Sequence, residues 1–232
     1  MLPSRLQGWR SWNCFLDEIN HDRILGQAKA LAAGPLLKAG YGRVGIDGGW
    51  VCVNDAKRAS KCTCGGVGGS YHDAAGQPVV GRGRFPNLTE LTAASHALGV
   101  KLDFYGNSCN CVAEEQKEWK QRGGNPLNDV AALHSYGMDG IKVDGCGPAH
   151  NISRWVDALA ALPGPREMLL ENCGDNHAGW SPPDVSAVSG TGGCGFQMYR
   201  VSADIAPQFY SAMANLQHML PYANVSRPGC WA

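Results

Sequence analysis

With 232 residues the chain is long enough to bury one sizeable α/β core. Twenty lysines and arginines balance twenty aspartates and glutamates, and no basic stripe or acidic tail points to nucleic acid or an anionic membrane. No apolar run approaches the roughly 20 residues that cross a bilayer, and no hydrophobic segment of signal-peptide type follows Met1-Leu2-Pro3-Ser4-Arg5.

Short apolar runs alternate with amphipathic stretches, a pattern that predicts repeated βα units. The first strand is expected over 7–12 and is followed by a helix over 22–37, which opens on acidic residues and closes on Lys38-Ala39-Gly40. A strand over 43–50 leads into a long excursion, 51–85, that carries Cys62, Cys64 and a Gly65–Gly69 run. A segment of that length is expected to form a wall of a site mouth. Helix 88–98 ends at Gly99, strand 101–105 follows, and helix 128–136 ends at Gly137. Strand 140–144, helix 153–162 and strand 168–171 come next. An irregular stretch over 174–194 precedes strand 197–201 and helix 207–219.

Glycine with aspartate or cysteine recurs at strand ends, as in Asp47-Gly48, Asp144-Gly145 and Cys173-Gly174. This is the arrangement of a barrel whose carboxyl-end loops carry the site. Six strands are expected, and Cys230-Trp231-Ala232 at best starts a seventh, whereas closure needs eight. The fold expected is therefore α/β, of (β/α)8 TIM-barrel type, incomplete at the C-terminus with about six to seven βα units. Residues 1–232 form one catalytic domain in this reading.

Asp144 carries the strongest chemical signal. In Gly140-Ile141-Lys142-Val143-Asp144, alternation puts Lys142 and Asp144 on one strand face and Ile141 and Val143 on the other. Charges on an inner face are costly unless paired or used, and a carboxylate at a strand's carboxyl end is where barrel enzymes place chemistry. The competing reading is a turn cap.

Ten cysteines and three Asn-x-Ser/Thr sequons, at Asn87, Asn151 and Asn224, favour an oxidising compartment with disulfides, extracellular or lysosomal/vacuolar. Cys62-x-Cys64 and Cys109-x-Cys111 leave one residue between thiols, not the two to four common in zinc knuckles, so no metal or cofactor is expected.

The motifs Gly8-Trp9-Arg10-Ser11-Trp12-Asn13, Gly45-Ile46-Asp47-Gly48-Gly49-Trp50, Lys101-Leu102-Asp103-Phe104-Tyr105-Gly106, Ile141-Lys142-Val143-Asp144-Gly145-Cys146 and Tyr199-Arg200-Val201-Ser202-Ala203-Asp204 stand in order along the chain. Together they resemble glycoside hydrolase family 27, the α-galactosidases and α-N-acetylgalactosaminidases. The resemblance implies Asp144 as nucleophile and Asp204, the less solvated carboxyl, as general acid/base. It also implies that Asp144 is ionised beside Lys142, and that Trp9, Asp47, Trp50, Tyr105, Lys142 and Arg200 contact the sugar. Cys146 is implied to pair with Cys109 or Cys111, and Cys173 with Cys194 across the fifth strand's loop. Gly48 stands where relatives often have a second aspartate. The closing βα units and the C-terminal β-sandwich usual in the family are not in the chain.

The partner implied is a galactose-containing oligosaccharide or glycoconjugate, with no nucleic acid and no membrane. The activity implied is retaining hydrolysis of terminal α-galactosides. The alternatives are a truncated, non-catalytic galactose-binding fragment and specificity for N-acetylgalactosamine. Asp103 faces the interior where relatives tend to have glycine, and Arg43 shares the parity of Asp47. An Arg43–Asp103 ion pair below the site is therefore expected, since an unpaired buried charge would cost several kcal/mol.

Overall fold

In a computed structural model of the chain, the residues described are 7–51, 72–73, 75–106, 126–144, 152–164, 168–173 and 196–224. Six strands are formed there: β1 (Gly8–Arg10), β2 (Arg43–Gly45), β3 (Lys101–Gly106), β4 (Gly140–Val143), β5 (Leu169–Asn172) and β6 (Met198–Tyr199). They form one sheet in the order β1-β2-β3-β4-β5-β6. Every neighbouring pair is parallel. The helices of the described residues are α1 (Trp12–Phe15), α2 (His21–Ala33), α3 (Pro35–Lys38), α4 (Leu88–Ala97), α5 (Pro126–Ser135), α6 (Ile152–Ala160) and α7 (Phe209–Met219).

The sheet is curled. Neighbouring strands lie about 4.8 Å apart, so a flat sheet would put β1 and β5 roughly 19 Å from each other. Yet Arg10 at the end of β1 hydrogen-bonds directly to Glu171 on β5. Asn13 likewise donates to the Ile205 carbonyl, 2.7 Å away and well past β6. Six parallel strands arranged as an open arc of a (β/α)8 barrel account for both contacts.

Alternation divides the strand residues sharply. Val44, Ile46, Leu102, Phe104, Ile141, Val143 and Leu170 are all buried and face the helices. The helices answer with apolar stripes, such as Ile24, Ala28 and Leu31 of α2 at i, i+4 and i+7. Asn20 caps α2 by accepting from the Arg23 amide, and Asn87 caps α4 by accepting from the Glu90 amide. Gly99 ends α4 with φ +74°, a conformation open to glycine without strain.

The helix expected over 22–37 is two helices. Gly34 is extended, and Pro35, which lacks an amide hydrogen, starts the short α3 instead of continuing α2. Strand bounds agree with expectation to within a few residues, although β2 and β6 are shorter than predicted. The returning limb of the long excursion docks on α5. His72 Nε2 lies 2.7 Å from Asp129 Oδ1, and Asn128 donates to the Ala75 carbonyl at 2.9 Å.

The opposite face of the strands is charged where a barrel interior is usually filled with bulky branched side chains. Arg43 and Asp103 form the expected ion pair, with Nε donating to Oδ2 at 2.7 Å and Nη2 bonded to Oδ1. Arg43 Nη2 also donates to the Asp139 carbonyl at 2.9 Å. Glycines provide the room. A Cβ on Gly140 would lie 2.6 Å from Asp103 Oδ1, and one on Gly45 would lie 2.9 Å from the Arg10 guanidinium.

Candidate active site

Above that ion pair, the carboxyl ends of β2, β3, β4 and β5 converge on a polar cluster. Parallel register sets Tyr105, Lys142 and Glu171 level with one another on β3, β4 and β5. Asp144 follows β4, held there by its amide donating to the Gly106 carbonyl at 2.8 Å. Its carboxylate Oδ2 accepts the Tyr105 phenol at 2.5 Å, a short charge-assisted bond that orients the group.

Lys142, on the same strand face as Asp144, pairs with Asp47. Its ammonium donates to Asp47 Oδ2 at 2.9 Å and lies over the Tyr105 ring. Asp47 is held on three further sides. Ser11 Oγ accepts from its amide, its Oδ1 accepts from the Gly48 amide, and Arg10 Nε stands 3.9 Å from its Oδ2. Burial acts to lower the Lys142 pKa, but attraction by Asp47, with Cys173 and Glu171, outweighs it and the net shift is upward.

Arg200 pairs with Asp204. It follows β6, and its Nη2 lies 3.1 Å from Asp204 Oδ1. Asp144 and Asp204 both act on its charge, while Nη1 reaches Cys173 Sγ at 3.5 Å. Asp204 is not the shielded carboxyl expected from the resemblance, because its side chain is 53% exposed. The physical reason is local: β6 ends at Tyr199, and Asp204 rides on the irregular segment before α7. That segment is pinned by Ser202, whose hydroxyl bonds Asn215 and His218 of α7, and by Asn13.

Both tryptophans implied at the sugar sit on the helix-facing side of the sheet. Trp9 is in register with Val44 and Leu102, on the helix-facing side, and packs edge-on against Phe15. Trp50 is buried against Phe104 with ring centroids 4.6 Å apart. Trp50 has the strand parity of Val44 and Ile46, which face the helices, and opposite parity to Asp47. Sequence reasoning missed Trp12. Its half-buried ring lies against Gly48 beside Asp47, and a Cβ on Gly48 would stand 3.3 Å from Trp12 Cζ3. The signal was the loss of a side chain at position 48, which leaves room for an indole.

Cys173, expected to pair with Cys194, is a free and buried thiol. It faces Arg200 at the end of β5. Cys109, Cys111, Cys146 and Cys194 lie outside the described residues.

No family model matches the chain. α-Galactosidase 2 of Arabidopsis thaliana is 25% identical over 230 residues, which is 97% of this chain and 51% of that protein. The α-galactosidase of Oryza sativa is 26% identical over 229 residues, 97% of this chain and 48% of that protein. The chain is thus similar to curated α-galactosidases at about 25% identity. It spans about half the length of the curated α-galactosidases it matches. The fold is that of family 27 barrels. A β-L-arabinopyranosidase of this family from Geobacillus stearothermophilus superposes with TM-score 0.73 at 17% identity, over 98% of this chain and 60% of its own. The chain therefore shares the barrel arc of these structures and carries an ion-paired floor within it.

Proposed function

We propose that the chain carries the catalytic half-site of a retaining exo-glycosidase that hydrolyses terminal α-galactosides. The observation that carries this reading is Asp144, its carboxylate held by Tyr105 just after β4, with Asp204 paired to Arg200 beyond β6. Retaining glycosidases need two carboxyls roughly 5–5.5 Å apart, one to attack the anomeric carbon and one to protonate the leaving oxygen. Asp144, fixed by Tyr105, is the nucleophile in this reading. Asp204 donates the proton and then deprotonates the water that releases the sugar. Asp47, Lys142 and the Trp12 ring form the surface for the sugar's hydroxyls and apolar face.

Ten cysteines and three sequons support passage through the secretory pathway.

The test is hydrolysis of an aryl α-galactoside by the chain and by Asp144→Asn. The variant is expected to lose turnover while galactose still binds. Turnover by Asp144→Asn close to the parent rate would end the assignment.

A second reading, a galactose-binding protein without turnover, is favoured by the exposure of Asp204, because an acid in open water gains little from its site. Galactose binding measured by calorimetry, with no release of the aryl group, would select it.

A further inference from the structure

We propose that Asn87 is N-glycosylated and that the first sugar of the glycan occupies the cavity beside it. The inference rests on the secretory reading above and names one site among the three sequons.

Asn87-Leu88-Thr89 is the sequon of which both the asparagine and the hydroxyl residue are described. Asn151 lies outside the described residues, as does Ser226 of the third sequon. Asn87 and Thr89 are exposed, whereas Leu88 between them is buried, so the backbone is anchored and the two reactive side chains face solvent.

The amide of Asn87 is divided between two tasks. Its Oδ1 caps α4 by accepting from the Glu90 amide at 3.1 Å. Its Nδ2 has no hydrogen-bond partner among the described residues. Asn13, which is exposed, and the half-buried Asn128 instead spend Nδ2 on carbonyls at 2.7 and 2.9 Å. A sugar on Nδ2 leaves Oδ1 in place, so the modified residue still caps the helix.

The space for the sugar is present. A cavity of about 600 Å³ opens at Asn87 and Thr89 and is lined also by Asp73, Gln77, Arg82 and Tyr136. This is within the range of sites that hold small molecules. Its lining combines hydroxyl-binding polar groups with the rings of Phe85 and Tyr136, the chemistry that suits an N-acetylhexosamine. Asp73 and Arg82 both act on the Tyr136 phenol, so the polar groups are concentrated around that ring.

The donor is a lipid-linked oligosaccharide pyrophosphate. The bond from Asn87 Nδ2 to the anomeric carbon forms as the bond from that carbon to the phosphate oxygen breaks. The pyrophosphate leaves with the electron pair, and the amide proton passes to a base.

The full chain, directed through a eukaryotic secretory host, is deglycosylated by an amidase in heavy-oxygen water and mapped by peptide mass spectrometry. Heavy aspartate is expected at position 87 in the parent and in Thr89→Ser, and is expected to vanish in Thr89→Ala. Thr89→Ala retains the Asn87 cap, so its melting temperature should match that of the deglycosylated parent. Asn87→Asp, which keeps a capping carboxylate, should also be unmodified and folded. Secreted protein with label at Asn151 or Asn224 but none at Asn87 overturns the proposal and leaves the secretory reading standing. A chain that folds in the cytosol of its own cells with all its thiols reduced overturns the secretory reading itself.

Discussion

Arg43 and Asp103 face each other across β2 and β3, with Arg43 Nε donating to Asp103 Oδ2 at 2.7 Å and both side chains almost wholly buried. The pair sits below the polar cluster, and Gly140 leaves the space it fills. Removing one partner strands a charge where water cannot reach it. Arg43→Leu or Asp103→Gly alone should destabilise the fold by about 3–5 kcal/mol. The double variant should recover most of that loss, because two charges leave together. Denaturant titrations of the four proteins measure the coupling. Additive losses would show that the two charges do not support one another.

This ion pair was legible before any coordinates, because strand alternation fixes which residues share a face and a buried charge requires a partner. The partner of Lys142 was not legible in the same way. Asp47 and Asp144 share its face, and only the curl of the sheet decides that the ammonium meets Asp47 at 2.9 Å. Trp50 was placed at the sugar by the resemblance alone, whereas strand parity sets it with Val44 and Ile46 on the helix-facing side, where it packs against Phe104. The break between α2 and α3 was written in Gly34-Pro35, a signal outweighed by the apolar periodicity on either side. The strand-end motifs survived all of this, because a barrel places them by topology.

Tyr105 touches Asp144 through a single hydrogen bond of 2.5 Å. A hydrogen bond to a charged group contributes about 1.5–3 kcal/mol, so Tyr105→Phe should lower kcat on an aryl α-galactoside by roughly 10- to 150-fold. The ring itself remains, with Lys142 over its face. Burst kinetics separate attack by Asp144 from release of the sugar. An unchanged rate of the first step would remove Tyr105 from the reaction.

Burial pushes the Cys173 thiol up from 9.0 to about 11, with Lys142 and Arg200 only partly opposing it. The folded value lies above the unfolded one, so unfolding favours ionisation. The stability from the neutral thiol is complete below about pH 9 and falls as pH rises through 11. Over that window the stability should fall by about 1.4 kcal/mol per pH unit from this group. Cys173→Ala should flatten the decline, as read from urea midpoints at several pH values. Native protein at pH 8 should also resist alkylation at Cys173 and react there once unfolded. Rapid labelling of the native thiol would contradict its burial.

Arg10 lies between two carboxylates, bonded to Glu171 and 3.9 Å from Asp47. Its Nη1 is buried with no hydrogen-bond partner among the described residues, so the group is held by charge more than by a full set of bonds. Replacing Arg10 alone would strand Glu171, so the informative variant is Arg10→Leu with Glu171→Leu. Asp47 then has Lys142 as its remaining cation, and its carboxylate is less firmly placed for the sugar's hydroxyls. A loss near 1 kcal/mol raises KM about fivefold. With Asp47 binding ground state and transition state alike, kcat should be nearly unchanged. Steady-state kinetics on an aryl α-galactoside give both constants. A fall in kcat with KM constant would show that Asp47 acts on the reacting sugar rather than only holding it.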